Sequence, residues 1–167
     1  HCPLMTLPLA FGTTIDTVPH FDRYIYASDE HVKKWEAFAS QMTGPKIGIV
    51  ARGSNSFVND KSRSFDLKVL VAQLPKNASY VVLQKDLSAD ERTFIDSFDN
   101  IVAPGKKLET FSDTAAICKH LDNVITVDTS VAHLSAALGT PTLILLAYRP
   151  DWRWGAEGET TAWYPSV

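Results

Sequence analysis

Apolar positions along this chain follow two alternating rhythms: short β-branched runs, and stretches in which apolar residues recur three or four apart. The clearest example begins at Val124-Ile125-Thr126-Val127, which ends in Asp128-Thr129-Ser130. A small-residue stretch, Val131-Ala132-His133-Leu134-Ser135-Ala136-Ala137-Leu138, stops at Gly139 and Pro141 and gives way to Thr142-Leu143-Ile144-Leu145. That order predicts strand, polar turn, helix and strand, a compact βαβ unit.

The same alternation runs upstream. Residues 1–28 hold Pro3, Pro8, Gly12 and Pro19 without periodicity and are expected to be mostly loop. Ser28, with Asp29 and Glu30, opens a helix to about Met42 that carries Val32, Trp35, Ala39 and Met42 on one face, and Gly44-Pro45 ends it. A short buried strand follows at 46–51, then a long polar loop at 52–63. Ser64 is expected to cap a helix with Leu67, Leu70, Val71 and Leu74, before a strand at 80–84. Ser88 and Glu91 have capping-box spacing for a helix to about Phe98. Ile101-Val102 is a weak strand, and Ser112-Asp113 starts a helix to about Leu121. A single turn is expected at 151–154.

This pattern predicts an α/β protein: a Rossmann-like, doubly wound parallel sheet of about five strands, covered on both faces. In such a sheet the chain starts centrally, builds outward and crosses to the other side, and the crevice lies where the strand order reverses. Here the two strand exits at that point are Arg52-Gly53-Ser54-Asn55 and Asp128-Thr129-Ser130. They are the two most polar strand exits in the chain.

Candidate chemistry gathers at these exits. The Asp128–Ser130 turn lies at a helix N-terminus, where unpaired N–H groups and the helix dipole favour anions. Thr129, Ser130 and His133 share one face of the first turn, which suits a phosphate; Asp, Thr and Ser are also ordinary helix caps. The 52–63 loop is long for its position, Gly53 permits close backbone approach, and Arg63 has the fork geometry for a phosphate. Lys61 reads as a solvated surface residue. Gln84 and Lys85 suit a ribose, base edge or phosphate, and equally an exposed strand end. Asp113 is explained by capping alone, with a contact to a nucleotide base as the weaker reading. Trp152 and Trp154 flank Arg153 and suit stacking on a base or sugar, or packing against a further part of a larger protein.

Composition narrows the picture. The chain has 167 residues, 45% hydrophobic and 21% charged, with a net charge of −3. Those values describe one soluble domain and give no electrostatic case for nucleic acid or an anionic membrane. No apolar run approaches the roughly 20 residues of a membrane span. Cys2 and Cys118 form no metal-ligand or CxxC pattern and read as reduced thiols in a cytoplasmic protein; neither a metal nor a cofactor is expected. The apolar stretch at 4–11 lacks a basic leader and makes a poor signal peptide. Residues 1–28 are therefore expected to be an apolar lead segment that packs against an upstream domain. Residues 29–167 form the ligand-binding domain, and both ends are expected to be cut from a longer chain.

Several stretches then occur in a recognisable order: Lys46-Ile47-Gly48-Ile49-Val50, Asn59-Asp60-Lys61-Ser62-Arg63-Ser64, Leu83-Gln84-Lys85, Phe111-Ser112-Asp113-Thr114-Ala115-Ala116, Val127-Asp128-Thr129-Ser130-Val131-Ala132-His133-Leu134 and Pro150-Asp151-Trp152-Arg153-Trp154. With them, over nearly its whole length, the chain resembles the C-terminal half of bacterial heptosyltransferase-type glycosyltransferases, particularly those fused to tetratricopeptide repeats. The resemblance implies one half of a GT-B architecture, a domain that binds a nucleoside-diphosphate sugar. It implies that Thr129, Ser130 and His133 hold the donor diphosphate with Arg63, that Gln84 lies near the ribose, and that no metal is needed. An upstream acceptor domain of the same parent chain would supply the general base, so no catalytic residue is assigned and this chain alone is expected to be inactive. One departure stands out: Ala51-Arg52-Gly53-Ser54-Asn55 replaces the Trp-Ser-Gly-Asn-Pro often found in the repeat-fused relatives. A non-catalytic nucleotide-sugar-binding or assembly module, or half of a nucleotide-sugar epimerase, are the alternatives. Without its neighbour, the lead segment is expected to fold back or self-associate weakly, and Trp152 and Trp154 to be only partly buried.

Overall fold

The computed structural model of the chain describes residues 1–53, 63–155 and 157–167. Its centre is a five-stranded, wholly parallel sheet. The strands are β1 (Lys46–Val50), β2 (Ser79–Val82), β3 (Ile101–Val102), β4 (Asn123–Val127) and β5 (Thr142–Leu145), in the spatial order β3-β2-β1-β4-β5. The chain builds outward from β1 to β3, then returns to place β4 on the other side of β1. That is the predicted doubly wound topology, with the reversal between β1 and β4.

Strand parity sorts the core into two layers, because successive side chains leave a strand on opposite faces. Val50, Val81, Leu83 and Val124 face one layer, with α2 (Asp29–Ala39), α5 (Phe111–Cys118) and α6 (Ser130–Ala137) above them. Ile49, Ala51, Tyr80 and Val82 face the other, against α3 (Leu67–Ala72) and α4 (Ala89–Ile95). Gly48 sits where the first layer presses closest. A Cβ there would lie 2.8 Å from methyl carbons of both Leu83 and Leu121.

The helix starts follow capping chemistry. Ser28 accepts the His31 N–H at the head of α2, and Ser88 with Glu91 makes both halves of a capping box on α4. Two starts differ from expectation. The helix after the polar loop is capped by Asp66 at the Lys68 N–H, not by Ser64, because the Phe65 N–H is still bonded to the Ala51 carbonyl at the exit of β1. Thr110, not Ser112, is the N-cap of α5, with the Asp113 carboxylate reaching back to its N–H. The ends of α2 and α4 come about three residues early, in i→i+3 turns such as Phe98 to Ile95.

The lead segment is more ordered than its prolines suggest. It contains 3-10 turns at Leu4–Thr6 and Ile15–Thr17 and a short helix, α1 (Leu7–Ala10). Pro8 falls in the first turn of α1, where its missing N–H would have had no partner anyway. Residues 18–25 fold back on the domain. Val18 is buried, and the N–H groups of Tyr24 and Ile25 both reach the Ala137 carbonyl, at 3.0 and 3.2 Å. Gly139, at φ +73°, ends α6 beneath this segment; a Cβ there would lie 2.6 Å from the Asp22 carbonyl oxygen. Leu4, Met5, Leu9, Phe11 and Ile15 remain exposed, as do Phe21, Tyr24 and Tyr26, so folding back buries Val18 alone among the segment's large apolar side chains. Cys2 and Cys118 are unbridged. Among the described residues, no helix is long and apolar enough to cross a membrane.

Candidate functional site

Val50 pairs with Thr126 across β1 and β4, so the carboxyl ends of the two strands open side by side. They deliver Arg52-Gly53 and Asp128-Thr129-Ser130 to one crevice, as the topology predicts. The crevice holds two adjoining cavities. The first, of about 450 Å³, is lined among the described residues by Val50, Arg52, Gly53, Leu83, Gln84, Lys85, Leu108, Thr110 and Thr114, among others. The second, of about 510 Å³, is lined by Arg63, Asp128, His133, Arg149, Asp151 and Arg153 with neighbouring backbone. Thr129 and Ser130 belong to both.

The shared wall is the start of α6. At α2, α3 and α4 a Ser or Asp side chain accepts a first-turn N–H. Thr129 makes no such bond; its hydroxyl is buried against that of Thr126, 3.2 Å away. Among the described residues the start of α6 therefore lines both cavities without a side-chain cap from Thr129, at the end of the helix that attracts anions.

Gln84 forms the floor of the first cavity. It follows β2, extended by the Leu83 N–H bond to the Ile49 carbonyl. The side chain is only 6% exposed, and its Oε1 accepts the Ala51 N–H at 2.7 Å. Its Nε2 has no partner among the described residues. A buried amide N–H left without an acceptor is costly, and a ligand in the cavity would supply one. Lys85 is exposed beside it, with Nζ 3.4 Å from the Glu109 carbonyl. Arg52 also lines this cavity but is drawn toward α4, where it pairs with the Glu91 carboxylate.

The second cavity carries most of the positive charge. Arg63 donates to the Asp128 carbonyl, which brings it against the turn. Arg153 pairs with Asp151 at 3.1 Å. His133 lines the same cavity. Its Nε2 is 4.0 Å from Asp128 Oδ1, its Nδ1 is 2.9 Å from the Tyr164 hydroxyl, and its ring stacks on Trp154 with centroids 4.9 Å apart. Burial, then the nearby Arg153, hold its pKa below the usual histidine value, against the opposing pull of Asp128 and Asp151.

Several expected site residues are placed elsewhere. Asp113 is off the crevice: its carboxylate faces α2 and accepts from Lys34 Nζ at 2.7 Å and Trp35 Nε1 at 3.0 Å, plus the Glu109 and Thr110 N–H groups. Burial alone would raise its pKa, but these donors hold it well below the carboxylate range. Trp154 is 5% exposed, not partly buried, because His133 and Tyr164 pack on it; its stacking partner is the protein's own imidazole. Trp152 is 59% exposed, braced edge-to-face by Trp163. Ser54 and Asn55 lie outside the described residues. Sequence reasoning missed Tyr164 and Arg149. An isolated tyrosine and an isolated arginine carry no local signal that would have marked them.

The chain is a doubly wound α/β domain, a fold in which ligands commonly bind at the switch point and helix N-termini there attract anions. Residues 88–163 match the family model of glycosyltransferase family 9 (heptosyltransferase), which supports a heptosyltransferase-type glycosyltransferase. The matched stretch contains Asp128, Thr129, Ser130, His133 and two of the second cavity's three arginines, Arg149 and Arg153, but not Arg52, Arg63 or Gln84. Comparisons with curated proteins and with solved structures find no match.

Proposed function

We propose that this chain is the donor-binding domain of an inverting, metal-independent glycosyltransferase. The observation that carries the reading is the start of α6, without a Thr129 side-chain cap, set as a common wall between a cavity of mixed polar and apolar lining and an arginine-lined one. A nucleoside-diphosphate sugar has the matching order of parts. Its nucleoside enters the first cavity, where Gln84 Nε2 offers a donor, and its diphosphate lies along the Thr129–Ser130 turn. Its sugar-proximal phosphate meets Arg63 and His133.

The reaction would be a displacement at the anomeric carbon. An acceptor hydroxyl oxygen forms the new bond, the bond from that carbon to the phosphate oxygen breaks, and the nucleoside diphosphate leaves with the electron pair. The acceptor proton passes to a general base contributed by a domain outside this chain. The part played by these residues is to stabilise the charge gathering on the leaving diphosphate, with helix N–H groups and cations fixed beforehand. By itself, the chain would bind donor and transfer nothing.

Calorimetry with ADP, GDP and UDP tests this. Charge-assisted hydrogen bonds contribute about 1.5–3 kcal/mol each, so Ser130→Pro with His133→Ala should weaken binding at least tenfold. Equal binding by parent and double variant, or no binding of any nucleoside diphosphate by the parent, rejects the reading. Sugar transfer by the isolated chain rejects the division of labour.

A further inference from the structure

We infer that Tyr164 is a positioning residue that fixes His133 as its Nε2–H tautomer and so aims the ring's one N–H into the arginine-lined cavity. The Asp128 charge selects between two tautomers that the 2.9 Å contact to Tyr164, whose hydroxyl also meets Tyr24, would each allow. A neutral imidazole has one donor and one acceptor nitrogen. Asp128 Oδ1, 4.0 Å from Nε2, is a carboxylate oxygen and can only accept, so it favours a proton on that side. Nδ1 must then accept, and the Tyr164 hydroxyl at 2.9 Å is the donor that meets it. Trp154, stacked on the imidazole within 24° of parallel, prevents the ring from turning over. The charged and titratable groups around His133 are Asp128, Asp151, Arg153 and Tyr164, with Arg63 and Arg149 lining the same cavity, and burial with Arg153 favours the neutral ring.

Tyr164 is held in turn by the lead segment. Tyr24 stacks on it, with centroids 6.4 Å apart and planes within 16° of parallel, and the backbone of Tyr24 is bonded to Ala137 at the far end of α6. The orientation of His133 thus depends on residues 31 positions later and more than 100 positions earlier in the chain. The effect on ligand affinity rests on the nucleoside-diphosphate reading above; the tautomer does not.

The experiment is long-range ¹H–¹⁵N NMR on the full chain, with the His133 signals assigned from His133→Gln, alongside calorimetry with ADP and UDP. The parent should show the Nε2–H tautomer as the main form near pH 7.5. Tyr164→Phe keeps the ring and its stacking but removes the hydroxyl; it should mix the two tautomers and weaken whichever nucleoside diphosphate binds by roughly three- to tenfold, the weight of one hydrogen bond. A parent ring protonated at Nδ1, or a tautomer unchanged in Tyr164→Phe, overturns the inference. Should that variant not fold, the parent spectrum alone decides. A parent that shows the Nε2–H form but binds none of ADP, GDP and UDP leaves this inference standing and removes the donor reading instead.

Discussion

Arg52 and Glu91 form a two-point ion pair, Nε to Oε1 at 3.2 Å and Nη2 to Oε2 at 2.9 Å, between the exit of β1 and the first turn of α4. The same carboxylate closes the capping box on the Ser88 N–H, and Arg52 also donates to the Asp86 carbonyl at 2.7 Å. The arginine at this strand exit is thereby built into the wall of the first cavity. The hydrogen bond from Arg52, more than any other influence, holds the Glu91 pKa below the usual value. Glu91→Gln keeps a carbonyl for the cap but weakens the grip on Arg52. It should cost about 1 kcal/mol in urea unfolding, between the weight of an exposed pair and that of a charged hydrogen bond; an unchanged midpoint would show the pair to be idle.

Gln84 joins two strand exits through one amide. Gln84→Met removes the acceptor for the buried Ala51 N–H and should destabilise the domain by about 1–3 kcal/mol. It also removes the unpartnered Nε2, so the thermal shift produced by a bound nucleoside diphosphate should shrink. Loss of stability with an undiminished ligand shift would place the ligand elsewhere.

Asp113 supplies an acid-sensitive joint between α2 and α5. Its folded pKa is depressed, so the stability it contributes is present above the unfolded value of about 3.9 and is lost as pH falls through the folded value. Asp113→Asn should lower stability at pH 7 by about 1–3 kcal/mol, since one amide oxygen cannot satisfy the Trp35, Glu109 and Thr110 donors. Its loss of stability between pH 5 and 2 should also be shallower than the parent's. Parallel curves from chemical denaturation across that range would refute this.

His133 acts over a different window. Its folded pKa lies below the unfolded value of about 6.5, so between the two the unfolded chain binds more protons and stability falls as pH drops. Thermal unfolding at pH 7.5 and 5.5 should show a larger loss for the parent than for His133→Gln. An equal loss would mean that the ring titrates like an exposed histidine.

The sheet was legible because its signals are local: β-branched runs, Ser88 with Glu91, and Gly139 at the end of α6 each act within a few residues. The crevice followed from strand order alone. Asp113 was misplaced because its capping spacing is the same whichever way the carboxylate then turns, and that is decided by Lys34 and Trp35 nearly eighty residues away. Trp154 was misread for a similar reason. A tryptophan in a polar turn gives no sign that an imidazole will lie over it. Ser64 lost its expected cap to a single bond between Phe65 and Ala51.

The adjacency of β1 and β4 also bears on when the site comes into being. Ile47 pairs with Asn123 and Val50 with Thr126, so the crevice closes only after a loop of more than seventy residues has been drawn together. Pairings of such separation are entropically late events, and proteins rich in them fold slowly. The separation predicts that the two polar exits meet after the more local β1–β2 pairing has formed. A phosphorylated ligand in the crevice would thus recognise only the completed sheet, and its binding would stabilise the folded chain.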